Sequence, residues 1–194
     1  MANQRGFVPC RKLGGGFAIT KTLPVSAAAN EAYFLGDAVI ASTTGKVRPL
    51  KAGTPLATRP LGVIVGFLDA NGKPLTGSLP TRGPFLATAV AGFALVNCDP
   101  LQTYVAEFGG NVADANVFGG CKVSAGAPST TTGLSGQGLD ATTITTADAQ
   151  FRVLGLAPEQ FVTNPRISSL SSAASSLVEV MIVNPTLGGG GQII

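Results

Sequence analysis

The chain has 194 residues, no histidine, and 13 Lys and Arg against 10 Asp and Glu, so only 12% of its residues are charged. The lack of histidine excludes Ser-His-Asp and Cys-His catalysis and histidine-ligated metal sites. An apolar content of 45% with so little charge excludes a disordered polar chain and is typical of a protein that works inside an assembly.

The charge is distributed unevenly along the chain. Residues 1–82 carry ten bases and three acids, a net charge of +7, whereas residues 83–194 carry three bases and seven acids, a net charge of −4. If this division of charge is functional, it predicts a preferred orientation against a charged partner or head-to-tail contacts between copies. The alternative is a chance scatter of charged residues between the two halves. The bases are spread singly and stacking aromatics are few, so no nucleic-acid partner is expected.

Residues 1–16 are predicted to form an extended N-terminal arm, because they are polar and basic and end in a three-glycine hinge. They contain no apolar signal-peptide core. The longest uncharged apolar stretch, residues 84–98, is shorter than the ~20 residues that span a bilayer, so no membrane partner is expected. Cys10, Cys98 and Cys121 lack metal-ligand spacing, and we expect buried thiols in a protein made in a reducing cytoplasm.

A first β module is predicted for residues 17–98. Apolar and polar residues alternate over 17–23, from Phe17 through Ile19, as in a half-buried strand. The stretch YFLGDAVIASTTGKVRPL, residues 33–50, has the pattern of strand, turn, strand. LGVIVGFL, which follows a Pro-rich connection, is predicted as a buried strand that ends at an Asn-Gly hairpin turn.

Two strands or one long strand are predicted over residues 83–97, with a bulge at Gly92. A second β module is predicted for residues 99–185, with strands at 103–108, 122–124, 151–156 and 177–183. Three further stretches have the composition of loops or of a flexible glycine-rich tail: 125–138, 168–176 and 186–194. Short strands separated by Gly, Pro and Asn turns predict an all-β fold of barrel or sandwich modules. We expect the two modules to meet near residue 98, with one continuous core as the alternative.

No residue constellation predicts an enzyme. Asp37, after a glycine, is either a catalytic acid or a turn former whose carboxylate accepts backbone N–H groups, and we favour the turn. Asp99 before proline is interpreted in the same way. Asp140 and Asp148 have too few acidic neighbours for calcium. A Ser-Lys or N-terminal nucleophile is possible in principle without a supporting motif. We therefore expect no catalytic residues, no cofactor and no metal.

The order of several segments resembles that of a known family. In the first half these segments are GDAVIASTTGKVRPL and RPLGVIVGF. In the second half they are CDPLQTYVAEF, ADANVFGGCKVSAGAPSTTTGLSGQGLD, FRVLGL and VEVMIVNP. The first set resembles the opening barrel of tailed-bacteriophage capsid decoration (cement) proteins, and the second is similar to structural proteins of marine and aquatic phages. The resemblance extends from about Leu35 to Pro185.

The resemblance implies β-barrel or β-tulip modules, often in homotrimers, on the exterior of the mature capsid. Such proteins bridge subunits of the major capsid protein and have no active site. The expected location is the virion, after synthesis in the host cytoplasm. The alternative is a tail, baseplate or fibre-base component, which would have far fewer copies per particle.

Five basic residues are candidates for contact with the shell or with a neighbouring subunit: Arg5, Arg11, Lys12, Lys46 and Arg48. The three on the arm are expected to become ordered on binding, and deletion of residues 1–16 is expected to leave the fold intact. In the 33–50 hairpin, Val39, Val47 and Leu50 are expected to enter the core. Its two bases are expected on the opposite face, where they either contact a partner or are simply solvated.

Overall fold

The computed structural model describes residues 6–26, 31–76, 85–110, 112–145, 149–158, 176–183, 186–187 and 191–192. The fold is all-β, as the strand patterns predict. The described residues contain no α-helix and a single 3-10 turn at Asp114–Asn116. The strands are β1 Val8–Lys12, β2 Thr20–Pro24, β3 Tyr33–Phe34, β4 Ala38–Ala41, β5 Val47–Pro49, β6 Gly62–Asp69, β7 Phe85–Leu86, β8 Gly92–Asn97, β9 Gln102–Phe108, β10 Gly120–Ala125, β11 Gln137–Thr145, β12 Phe151–Leu156, β13 Ser176–Ile182, β14 Thr186–Leu187 and β15 Gly191–Gln192.

The N-terminal barrel is a five-stranded sheet in the order β2-β8-β6-β4-β5. It closes where Val25 bridges Val47 and where the Ser26 N–H donates to the Val47 carbonyl at 3.1 Å. The hydroxyl of Tyr33 donates to the same carbonyl, also at 3.1 Å. The hairpin of β4 and β5 supplies core as expected, since Val39 and Val47 are at most 2% exposed.

The C-terminal barrel is a ring of strands in which β9 pairs with β11, β11 with β10, β10 with β12, β12 with β13, and β13 again with β9. Strand β1 adds to β9 as a sixth strand. The main apolar cluster fills this ring and extends to the N-terminal barrel, which contributes Ala38, Ile40, Leu50 and Val63 to it. The two barrels therefore share part of one core.

The segment predicted as an extended arm is, where the structure describes it, packed between the barrels. Strand β1 lies on β9, and Phe7 is 1% exposed and stacks on Phe151 with ring centroids 4.4 Å apart. Gly6 has φ +66°, and a Cβ there would lie 2.6 Å from the Cβ of Ser135, so the close approach requires glycine. Deleting residues 1–16 would remove Phe7 and β1 from this packing, so on the structure we expect the deletion to destabilise the fold.

Three further expectations differ from the structure. Strand β2 begins at Thr20, and Phe17 and Ile19 project into solvent instead of forming a half-buried face. The bulge that was expected at Gly92 in β8 is not there. The bulge in this strand pair lies on the partner strand β6, where the register shifts between Ile64 and Gly66. Strand β11 was not expected at all, because its threonine-rich second half shows no apolar alternation.

The expected loop over 168–176 lies outside the described residues except for its last residue, which begins β13. In the expected glycine-rich tail, β14 and β15 form a short antiparallel pair.

Candidate functional site

The five predicted contact residues fall into three groups. Arg5 lies outside the described residues. Arg11 and Lys12 lie on β1. Lys46 and Arg48 lie on the exposed side of the β4–β5 hairpin, and within the described part of the chain no carboxylate oxygen comes within 4.0 Å of either.

Arg11 and Lys12 are engaged inside the molecule. The Arg11 guanidinium makes a bidentate pair with Glu179, with Nε–Oε1 at 2.7 Å and Nη2–Oε2 at 2.8 Å, and its pKa rises because the carboxylate accepts these hydrogen bonds. The Lys12 ammonium lies 2.8 Å from Oδ2 of Asp99. Glu179 and Asp99 are only 4% and 3% exposed, so these pairs fasten β1 to the fold.

Asp99 organises the junction between the barrels. Its carboxylate accepts the backbone N–H groups of Ile19 at 3.2 Å and Leu101 at 2.9 Å in addition to the Lys12 ammonium. Burial alone would raise the pKa of this carboxyl, but the hydrogen bonds from Lys12, Leu101 and Ile19 outweigh it and hold the pKa below its ordinary value. The interpretation of Asp99 as a turn former is confirmed.

An exposed apolar surface surrounds this anchor. It consists of four large apolar side chains on two adjacent loops and is called the Phe17 surface below. Their exposed fractions are Leu13 36%, Phe17 98%, Ile19 49% and Leu101 46%. The Leu13 N–H donates to the Leu101 carbonyl at 2.8 Å, and the Lys12 ammonium donates to the Phe17 carbonyl at 2.9 Å. These two bonds, one between backbone groups and one from the Lys12 side chain, fix the backbone at Leu13, Phe17 and Leu101.

A second exposed aromatic side chain lies on the C-terminal barrel. Phe118 is 69% exposed and has φ +64°, a left-handed conformation that bulky residues rarely adopt. The strain is held by backbone bonds, since the Phe118 N–H donates to the Val153 carbonyl at 2.8 Å and the Gly119 N–H to the Asn116 carbonyl at 3.0 Å. We call residues 113–119 the Phe118 loop. Observed strain at an exposed side chain is a frequent mark of a functional position.

Asp37 lies at the boundary between the two barrels, called the seam below. Its carboxylate accepts the Phe34 N–H at 2.8 Å and the hydroxyl of Ser135, and the side chain lines a cleft of about 250 Å³. The predicted turn is confirmed. Burial raises the pKa of Asp37 to about 7, although the hydrogen bonds from Ser135 and Phe34 oppose the shift. No cation lies within 4.0 Å of this carboxylate among the described residues.

Two glutamines complete the seam. The Oε1 of Gln137 accepts the Ala38 N–H at 2.7 Å, and its Nε2 donates to the Leu50 carbonyl at 2.8 Å. Gln150 similarly joins β10 to the loop after β5, accepting from Val123 at 2.9 Å and donating to Pro55 at 3.1 Å. The polar groups of the seam are thus used in fastening one barrel to the other.

The described residues contain no group of three or more His, Cys, Asp or Glu side chains positioned to hold a metal ion. Cys98 and Cys121 are buried, as expected, and burial raises the pKa of Cys98 to about 11 and that of Cys121 to about 12. Cys10 is half-buried. None of the described segments forms a helix with the length and apolarity needed to cross a bilayer.

No family model, curated protein or solved structure gives a significant match to this chain.

The sequence patterns missed the exposed aromatic surfaces. The alternating run predicts an inward-facing Phe17, and Phe118 lies between the strands predicted at 103–108 and 122–124, where no element is predicted. The glycines that flank each of them, Gly14–Gly16 and Gly119–Gly120, are the signal that could have marked both as loop residues.

Proposed function

We propose that this chain is a virion structural protein, a capsid decoration protein that binds the outer surface of a mature phage head and bridges subunits of the major capsid protein. The Phe17 surface carries the proposal. A phenylalanine that is 98% exposed, on loops fixed by a buried carboxylate, is arranged for contact with another protein. The segment order that resembles decoration proteins supports a partner in the virion, the major capsid protein or a neighbouring copy.

The remaining features support a role in binding. Lys46 and Arg48 are exposed on the N-terminal barrel without a carboxylate partner among the described residues, and their positive charge suits an acidic shell surface. A protein that binds only the mature lattice lowers the free energy of that lattice by mass action, and many copies with modest contacts sum to a large effect. The proposal includes self-association, with a homotrimer as the expected form, and a location on the capsid exterior.

Copy number on purified particles tests the proposal against its alternative. Hundreds of copies per particle, counted by quantitative mass spectrometry, support a shell protein. A dozen or fewer would assign the chain to the tail, baseplate or fibre base, and absence from the particle would end the virion proposal.

Binding to heads that lack the protein tests the surface itself. Phe17→Ser should weaken co-sedimentation with the heads at least tenfold, because it removes a central exposed aromatic contact of the bound chain, with the shell or with a neighbouring copy. Val90→Ser is the matched control, since Val90 is 44% exposed on the β7–β8 loop of the N-terminal barrel. Equal loss in both variants, or in neither, would contradict a specific role for the Phe17 surface.

A further inference from the structure

Two exposed phenylalanines lie on different parts of the molecule. Phe17 and Phe118 are 98% and 69% exposed, whereas every other described phenylalanine is buried or half-buried. Each stands on a loop that backbone hydrogen bonds hold in place, so burying either side chain would need little ordering of the loop.

The charges around the two surfaces are complementary. Lys21 follows Ile19 by two positions at the start of β2, is exposed, and has no carboxylate within 4.0 Å among the described residues. The Phe118 loop carries an exposed Asp114. These local charges have the same signs as the net charges of the two halves of the sequence. Phe17 belongs to the half with a net charge of +7 and Phe118 to the half with −4.

We propose that copies of this chain associate head to tail, with the Phe17 surface of one copy packed against the Phe118 loop of the next. The contact buries both phenylalanines at once and places Lys21 of one copy near Asp114 of the other. Because it joins two different surfaces, it is heterologous, and it either closes a ring or extends a row.

The contact is weak by itself. An aromatic side chain buries roughly 150–250 Å², while a stable interface needs about 800 Å² on each partner. The two surfaces therefore supply a specific centre for association. Repeated docking in a lattice, or closure of a ring, would strengthen the association.

The experiment is sedimentation velocity of the purified chain over a range of concentrations up to about millimolar, the affinity range of weak contacts. The wild-type chain should show reversible association that weakens as salt increases. Phe17→Ser and Phe118→Asn should each lower the association constant at least tenfold. Asparagine is chosen because it tolerates the left-handed backbone conformation. Val90→Ser is the matched control and should associate as the wild type does.

Mixing the two variants distinguishes the head-to-tail contact from a symmetric one. The Phe118→Asn chain retains the Phe17 surface and the Phe17→Ser chain retains the Phe118 loop, so an equimolar mixture should form a dimer that neither variant forms alone. If Phe118→Asn associates like the wild type, or if the mixture stays monomeric, the proposal is overturned.

A wild-type chain that is monomeric at all concentrations also overturns the self-contact. Because the assay uses no particles, that result would leave the capsid proposal to the copy-number measurement. Thermal unfolding of each variant, with a midpoint within a few degrees of wild type, shows that loss of association is not loss of fold.

Discussion

Asp37 allows a direct test of the seam between the two barrels. The side chain is 4% exposed, its oxygens accept from Ser135 and from the Phe34 backbone, and burial raises its pKa from 3.8 to about 7. Asp37→Asn keeps the size and both hydrogen bonds, since the amide oxygen accepts from Phe34 and the amide nitrogen donates to Ser135. It removes only the charge.

The raised pKa of Asp37 determines in which direction the free energy of unfolding changes with pH. Between about pH 4 and pH 7 the folded chain holds the Asp37 proton that the unfolded chain has released, so the free energy of unfolding falls as pH rises through this range. Each unit of difference between the two pKa values is worth 1.36 kcal/mol, so a difference of about 3 units gives an upper limit of about 4 kcal/mol. The contribution is complete below about pH 4 and lost above about pH 7.

The assay is urea unfolding followed by circular dichroism at pH 5 and pH 8. Because the contribution is already partly lost at pH 5, the Asp37→Asn variant should gain about 2–3 kcal/mol of stability relative to the wild type between pH 5 and pH 8. The Glu31–Lys51 pair is unchanged in the variant, and Tyr33, whose pKa burial raises to about 12 with a lesser contribution from the Asp37 charge, does not titrate between pH 5 and pH 8.

Asp114→Asn is the matched control, because it makes the same substitution at an exposed position. If the stability of Asp37→Asn parallels that of the wild type from pH 5 to pH 8, Asp37 titrates like a solvated carboxyl and the reasoning fails.

Three further predictions follow from contacts in the fold. Gln137→Ala should lower the free energy of unfolding by roughly 2–4 kcal/mol in urea titrations, because it leaves two buried backbone groups of the N-terminal barrel unpaired; a loss below 0.5 kcal/mol would contradict this role. Phe7→Ala should cost about 3–5 kcal/mol by the same measurement, and wild-type stability would mean that β1 is not part of the core. Lys46→Ser combined with Arg48→Ser should weaken binding to phage heads several-fold and reduce its salt dependence, while Lys73→Ser should not; equal binding would mean that both side chains of the pair are only solvated.

The sequence determined those elements in which local pattern and burial agree. The strand at residues 151–156 was predicted with the bounds that the structure has, and the β4–β5 hairpin with its inward-facing Val39 and Val47 was expected from alternation and a Thr-Thr-Gly turn. The backbone role of Asp37 was also predictable, because a short carboxylate after glycine satisfies nearby N–H groups locally. In each case neighbours in sequence supply the deciding interaction.

Only the tertiary structure decided which phenylalanine near the N-terminus is buried. Phe7 and Phe17 both stand among polar residues and glycines, and alternation favoured Phe17 as the buried one. In the fold Phe7 stacks on Phe151, far away in sequence, while Phe17 is left 98% exposed by the described residues. Burial depends on which distant surface covers a side chain, and alternation within one segment carries no information about that surface. The candidate contact surfaces were unpredictable for the same reason.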